Sequence, residues 1–579
     1  MPLLPPTVVG PISACNSSVR VQGQNIGANV DLFESGSSSP IGGGVATWSD
    51  QAFPLNSGVQ LTAGQTITAT QTQDGQTSQP SSAPLQVQSN PEAVGAVALA
   101  SHIYQCGQAL RFFGAVPGAT VQVIANGQIR GQGVSPDGTV RVILSAPTQA
   151  SETLVAIQTA CGITGPSLPL PQPDSAPVNS QGVLSPPTLQ GALVACQTAA
   201  TIKNAVDGAN ITITETPGST TTQWFPLPTG LLIFPPLAPG GTVTLTQTLP
   251  GCQIGGAASG PIAVSETAAV PAPSVVGPLC AGSVFVQLTG LIPGAQVEIF
   301  QGGVSLGTGT CFGTSQYFSV PVLVHKQHIQ ATQQLCSNVS ALSNQVKVGS
   351  ATALAKPSVQ KKLLQCASVV QVSKLNVGAV VYVFSKMLGA PIGIAMVTAE
   401  QMDVQVAPLL MAGDAIFARQ EGCGKPSKNS ASVIVAALPN QGPPALVAPI
   451  GSGSSSVFVQ NVTSGARIDV YVNNQFRGTA TATSATVQID LGTPLLNVGD
   501  QVSVRETTCE GMLTGSTVIV AGCQCSQVSK TPIGASGSFL YTFNCATPIG
   551  TTVVVQIEST NDIDALQQAE LGCDSAYGD

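Results

Sequence analysis

Pro278-Leu279-Cys280, Val284-Phe285-Val286, Pro293-Gly294-Ala295-Gln296-Val297-Glu298-Ile299, Gly302-Gly303 and Ala331-Thr332-Gln333-Gln334-Leu335-Cys336 follow one another within about sixty residues of the chain. Apolar residues alternate with polar ones in Val297-Glu298-Ile299, the period-two mark of a strand with one buried face. Gly-Gly tolerates positive φ, which a two-residue hairpin requires. The stretch therefore reads as strand, Gly-Ala bend, strand, tight hairpin and later strand. The same order returns six times. Its first cysteine falls at Cys15, Cys106, Cys196, Cys280 and Cys366, with Gly453 in the sixth place, in steps of 91, 90, 84, 86 and 87 residues. The bend recurs as Gly27-Ala28, Gly118-Ala119, Gly208-Ala209, Gly294-Ala295, Gly378-Ala379 and Gly465-Ala466. Turn pairs follow at Ser35-Gly36, Asn126-Gly127, Gly302-Gly303 and Asn473-Asn474.

A chain of 579 residues has room for four to six ordinary domains, and a unit near ninety residues buries a modest core by itself. Charged residues make up only 8%, whereas hydrophobic residues reach 43%, so disorder is not expected. The net charge of −8 excludes a nucleic-acid partner, which would require basic patches. Mean hydropathy of +0.31 with so little charge leaves the surface poorly protected against self-association, which points to life in an assembly. Helices are expected to be nearly absent, because 62 glycines and 43 prolines interrupt the chain.

Fifteen cysteines are present. Four repeats hold an early and a late one: Cys106 and Cys161, Cys196 and Cys252, Cys280 and Cys336, Cys366 and Cys423, at separations of 55, 56, 56 and 57 residues. The near-constant separation predicts one disulfide inside each of these repeats, worth roughly 3–4 kcal/mol in the chain-entropy model. Metal binding is the competing reading, and it needs clustered ligands that these pairs lack. On the disulfide reading Cys15 is without a partner, because Asp74 holds the late place in repeat 1, and Cys509 is orphaned by Gly453. Cys311, Cys523, Cys525, Cys545 and Cys573 stay unassigned. An odd total leaves at least one thiol free or bonded to another chain.

Disulfides imply an oxidising, extracellular or cell-surface location. The start Met1-Pro2-Leu3-Leu4-Pro5-Pro6 lacks the features of a signal peptide, so the export route is open, and no apolar run is long enough to span a membrane. The repeats divide the chain at 1–89, 90–172, 173–268, 269–350, 351–437 and 438–522. Pro169 to Pro187 reads as an extended, semi-rigid linker. Residues 523–579 depart from the pattern. Phe539–Phe543 and Val553–Ile557 read as two strands, and Asp562–Leu571 has helix-like spacing through Ile563, Leu566 and Ala569, with Gly572 as its stop. This segment is either a cap or an attachment point.

The early and late cysteines, with Pro117-Gly118-Ala119 and its Asn126-Gly127 hairpin, resemble tandem bacterial immunoglobulin-like and fibronectin-type-III-like repeat proteins. The resemblance is one of architecture. It implies an all-β chain of six immunoglobulin-like sandwiches followed by a divergent C-terminal β-rich unit. The core tryptophan of antibody domains is missing, and Thr159, Pro250, Gln334 and Glu421 stand where a corner tyrosine would precede the late cysteine.

Candidate chemistry is sparse. Gly303-Val304-Ser305-Leu306-Gly307 matches the nucleophile-elbow pattern but begins at a hairpin, whereas an elbow needs a strand-to-helix turn. His325 and His328, three apart in an expected strand, point to opposite faces and do not share a metal. His102 is the only other histidine. Asp562 and Asp564 are too few for calcium. Trp48 and the pair Trp224-Phe225 are candidates for stacking on sugars, against an ordinary packing role. No cofactor motif occurs, and no segment is left over to house a catalytic domain. The expected role is a non-catalytic extracellular structural or adhesive one, a rod, fibre or surface-appendage subunit that pairs with itself or with other surface proteins. The alternative is a secreted or tail-fibre-like protein binding a glycan or receptor through its loops.

Overall fold

The computed structural model describes residues 2–573 apart from 82, 179–181, 219, 225–230, 267–269, 352–353, 424–425, 439–441, 464–465, 483, 493–494, 510, 523, 534–537, 547–551, 563–564, 566–567 and 570–572. Alternation becomes strand along the whole chain. In Gln296–Gln301, for example, Val297 and Ile299 are fully buried while Glu298 between them is not. Among the described residues each repeat contributes a three-stranded sheet and a larger one.

Repeat 4 shows the plan. Its small sheet holds Ser274–Val275, Phe285–Thr289 and Ser315–Ser319. Its large sheet runs Leu279–Cys280, Val346–Gly349, His328–Leu335, Gln296–Gln301 and Val304–Thr310, with Asn338–Val339 beside His328–Leu335. The opening segment is shared. Before Pro278 it pairs antiparallel with Phe285–Thr289, and beyond it Leu279–Cys280 runs parallel to Val346–Gly349. Proline, lacking an N–H, suits the point where a strand leaves one sheet for the other. Val286, Leu288, Val297, Ile299, Phe318, Ile329, Ala331 and Val348 fill the space between the sheets. This strand order is that of an immunoglobulin-like sandwich. In repeats 2 and 6 the parallel segment shrinks to the single bridges Tyr104–Asp174 and Gly451–Ala521.

A buried glutamine does the work that the missing corner tyrosine does elsewhere. Gln71, Gln158, Gln247, Gln333 and Gln420 lie at equivalent places in the late strand, each at most 1% exposed. Each Oε1 accepts from a backbone N–H of the bend: Asn25 at 2.8 Å, Val116 at 2.9 Å, Val206 at 2.8 Å, Ile292 at 2.9 Å and Asn376 at 2.8 Å. Each Nε2 donates to a carbonyl of the segment that opens the repeat: Leu4, Gly95, Ser185, Pro271 and Ala355. One neutral amide thus ties three parts of the sandwich and satisfies backbone groups that burial would otherwise orphan. Repeat 6 has Glu506 instead. Its Oε1 accepts from Thr463 N–H at 2.7 Å, but a carboxylate has no N–H to give, and Oε2 is buried without a partner among the described residues.

The chain divides into two compact units, Met1–Ala437 and Leu438–Asp579. The C-terminal segment of the second is an antiparallel meander of Gln524–Ile533, Ser538–Ala546 and Thr552–Ser559, one strand more than the sequence suggested. Ala565, Ala569 and Cys573, spaced four apart in helical backbone, pack on Tyr541, Phe543 and Cys545. Of the helix face expected from the sequence, Ile563 and Leu566 lie outside the described residues, as does the expected stop at Gly572, and Cys573 is still helical.

Replacing Gln333 by Ala should destabilise repeat 4 by about 2–3 kcal/mol, since it leaves the Ile292 N–H and two carbonyls unpaired. Glu506→Gln should raise the melting temperature of repeat 6 by restoring an amide donor. Calorimetric scans of both variants against the parent check the two signs.

Candidate functional site

The disulfides run between repeats. Cys15 bonds Cys161, Cys106 bonds Cys252, Cys196 bonds Cys336 and Cys280 bonds Cys423, across 146, 146, 140 and 143 residues. The expected pairs within repeats, Cys106 with Cys161, Cys196 with Cys252, Cys280 with Cys336 and Cys366 with Cys423, do not form. The strand directions explain why. In repeat 2, Cys106 precedes Ala109–Phe113, which climbs to the Gly118-Ala119 bend. Thr120–Ala125 descends from that bend to the Asn126-Gly127 turn, and Leu154–Ala160 rises beside it, Ala125 opposite Leu154 and Thr120 opposite Thr159. Cys161 then caps the rising strand at the bend end, while Cys106 sits at the turn end, its N–H bonded to Thr148 O at 2.8 Å. The two are about 20 Å apart at ~3.3 Å per residue, far beyond the roughly 7 Å limit for bridged Cα atoms. The turn end of one repeat meets the bend end of the next, and there the sulfurs come together.

Cys15 is accordingly not orphaned. Cys366, Cys509 and Cys573 are disulfide-bonded too, so Cys509 is not left over either. Cys525 and Cys545 are bonded across adjacent strands. The sulfurs of Cys525, Cys545 and Cys573 lie within 4.8 Å of one another, but all are committed to disulfides. Cys311 is free, buried in the repeat 4 core, and its thiol is pushed up to about 12 by desolvation.

Three of the late cysteines have positive φ, 47° at Cys161, 52° at Cys336 and 52° at Cys423, as does Asp74 at 50°, which fills the same place in repeat 1, whereas Cys252 ends the short 3-10 helix Pro250–Cys252. The joints are tight around them. At the first joint Ser13 Oγ donates to Pro117 O at 2.6 Å, Asn16 Nδ2 donates to Pro136 O at 2.7 Å, and Arg20 bridges Asp50 and Asp137. A Cβ on Gly118 would lie 2.4 Å from the Cys15 backbone, so only glycine fits there, and its φ of +83° suits it to the bend. At the second joint Arg111 pairs with Asp207 at 3.0 Å, and His102 Nε2 lies 2.8 Å from Asp174 Oδ2. Leu184 is fully buried with Cys106, Ala209 and Leu249. Asp174 and Leu184 of the segment Pro169–Pro187 are therefore packed into a joint, where the sequence predicted an extended linker.

Repeats 1–5 fold back on themselves. Pro2 and Leu4 pair with Thr308 on the edge of repeat 4, and Leu4 enters that repeat's core. Gln88 donates to Pro391 O and Ser89 to Leu388 O at 2.8 Å, joining repeat 1 to repeat 5. Leu409 N–H donates to Gly114 O at 3.3 Å, joining repeat 5 to repeat 2. Contacts from one repeat to the third and fourth beyond it make a turn of a coil, where the sequence led us to expect an extended rod. Residues of the small sheets of repeats 1 to 4, with Val380, Tyr382 and Ile394 from the large sheet of repeat 5, enclose the space between the repeats. Two cavities lie there. One, of about 520 Å³, is lined from repeats 1, 3, 4 and 5 by residues that include Val8, Phe285, Tyr317 and Ile394. The other, of about 460 Å³, is lined from repeats 1, 2, 3 and 5. Ser49, Asp50 and Leu231 border both.

Of the other sequence candidates, Trp48 is half-buried and lines the second cavity. The side chain of Trp224 and all of Phe225 lie outside the described residues. Ser305 sits in the strand Val304–Thr310, not at a strand-to-helix turn. His328 opens a strand, but His325 is in the exposed turn before it, so the two are not on one strand as expected. Asp562 holds Lys530 Nζ and Tyr541 Oη at 2.5 Å each, and the Lys530 ammonium, then the Tyr541 hydroxyl, hold its carboxyl below the ordinary range. Asp564 lies outside the described residues. The cavity arginines and the glutamines went unread in the sequence, although Ala331-Thr332-Gln333 was part of the repeat signal.

No protein-family model matches the chain, and no curated protein matches it. Solved structures similar in fold include the BSP domain of a biofilm-associated protein, at 12% identity and TM-score 0.17, covering 61% of this chain and 96% of that one. The N-terminal four Ig domains of Dscam1 isoform 7.44 match at 11% identity and TM-score 0.15, covering 60% and 97%. The FN1–FN3 domains of chicken CNTN1 match at 11% and 0.15, covering 44% and 97%. The last two are tandem FN or Ig arrays by their names, but likenesses this distant carry no functional argument. The immunoglobulin-like assignment rests on the strand order above. Disulfides of this number are characteristic of proteins that fold in an oxidising environment. No described helix is long and apolar enough to cross a membrane.

A specific protease site inserted after Gly182 checks the ladder. Cleaved protein should stay one species on a denaturing, non-reducing gel, held by Cys106–Cys252, and split into two on reduction.

Proposed function

We propose that the protein is a non-catalytic extracellular structural or adhesive component whose first five repeats act as a covalently locked block. The observation that carries this is the disulfide ladder across four successive joints. A tandem array with ordinary linkers bends and stretches at its joints. Here every joint from repeat 1 to repeat 5 has a second covalent link beside the peptide chain. Under load the shortest covalent path from Cys15 to Cys423 crosses 35 residues from Cys161 to Cys196 and 56 from Cys336 back to Cys280, 91 in all, against 408 along the backbone. The ladder therefore limits extension even after the sandwiches unfold. A chain with only 8% charged residues has little surface charge to oppose close packing against copies of itself or other surface proteins.

Force spectroscopy on the full chain, pulled from its termini, tests the mechanical part. Unfolded residues 15–423 should add at most about 320 Å with disulfides intact and about 1,400 Å after reduction, at ~3.5 Å per residue. A long extension without reductant would refute the block. Sedimentation of the purified protein at rising concentration tests the assembly part, with self-association expected.

A further inference from the structure

Arg141 is out of place by the standards of this chain. Arg20 and Arg111, which share its cavity, are both engaged with carboxylates, Arg20 with Asp50 and Asp137, Arg111 with Asp207. Arg141 stands directly opposite Arg111 across antiparallel strands, a like-charge pair that is unfavourable unless offset. Among the described residues its guanidinium has neither an ion pair nor a hydrogen-bond acceptor. Burial alone pushes its guanidinium down from the ordinary value. Asp50, the one carboxylate in the cavity lining, is already taken by Arg20. A half-buried guanidinium without a protein acceptor, in a cavity with mostly apolar walls, is a ready partner for a bound anion.

The surroundings describe the rest of the ligand. Trp48 and Phe113 supply aromatic walls, and Leu231 and Ile233 supply aliphatic ones. A volume of about 460 Å³ falls within the range of small-molecule sites. We propose that this axial cavity binds a small aromatic oxyanion, its charged group on Arg141 and its ring between Trp48 and Phe113. The site exists only because repeats 1, 2, 3 and 5 converge, so it depends on the coil but not on the load-bearing role proposed above.

Titration calorimetry with 2-naphthoate, at low salt on the intact, oxidised protein, tests it. 2-Naphthoate should bind at least tenfold tighter than the neutral 2-naphthalenemethanol, as a charge-assisted hydrogen bond implies. Arg141→Gln should abolish that preference while leaving the melting temperature at or above the parent's, because it removes an unpaired charge. Arg141→Lys should keep part of it. Inorganic phosphate, lacking the ring, should bind more weakly than 2-naphthoate. Equal binding of the two naphthalenes, an Arg141→Gln variant that still prefers the anion, or phosphate binding as well as 2-naphthoate would each overturn the assignment.

Discussion

A sulfur bridge at the junction of two sandwiches is the constraint on which the rest of repeats 1–5 depends. It binds the turn end of one repeat to the bend end of the next, with Cα atoms 5.0 to 5.7 Å apart at the four joints. Together with the chain itself it fixes two points on every contact, which leaves little freedom of tilt. Taken alone, a loop of this size is worth about 5 kcal/mol in the chain-entropy model. The consequence for shape is larger than that figure suggests. The rotation at successive joints carries repeat 1 round to repeats 4 and 5.

Inside each repeat the chain economises on charge. Buried glutamines satisfy backbone groups where an ionised side chain would suffer desolvation, and a neutral amide both accepts and donates. Glu506 shows the limit of the substitution, since its carboxylate keeps the accepting half and loses the donating half. Two of the ion pairs cross joints, Arg20 with Asp137 and Arg111 with Asp207, while Arg130 with Glu152, Arg419 with Glu421 and Arg467 with Asp469 lie within single repeats. At the joints they help to fix one orientation of neighbouring repeats.

The sandwich was readable in the sequence because its signals are local. Val297-Glu298-Ile299 declares a strand, Asn126-Gly127 a hairpin and Pro278 a strand break, each from a few residues. The sulfur pairing was not readable, for a reason of arithmetic. In an array with a period near ninety, a spacing of 56 within a repeat and one near 143 to the next repeat are equally regular. Choosing between them requires knowing which end of the sandwich each cysteine occupies, and that follows from strand direction. The inward turn of the array was likewise invisible. Pro169–Pro187 has the composition of a spacer, and Asp174 beside His102 and Leu184 buried beside Cys106 mark it as part of a joint. Arg141 reads as one arginine on an alternating strand until the fold sets it against Arg111 with no carboxylate partner among the described residues.

The most direct measurement is peptide mapping of the unreduced protein by mass spectrometry, after digestion at acidic pH to prevent exchange. The account predicts linked peptides containing Cys15 with Cys161, Cys106 with Cys252, Cys196 with Cys336 and Cys280 with Cys423. Peptides joining Cys106 to Cys161, or Cys196 to Cys252, would contradict it and return the molecule to a string of separately closed sandwiches.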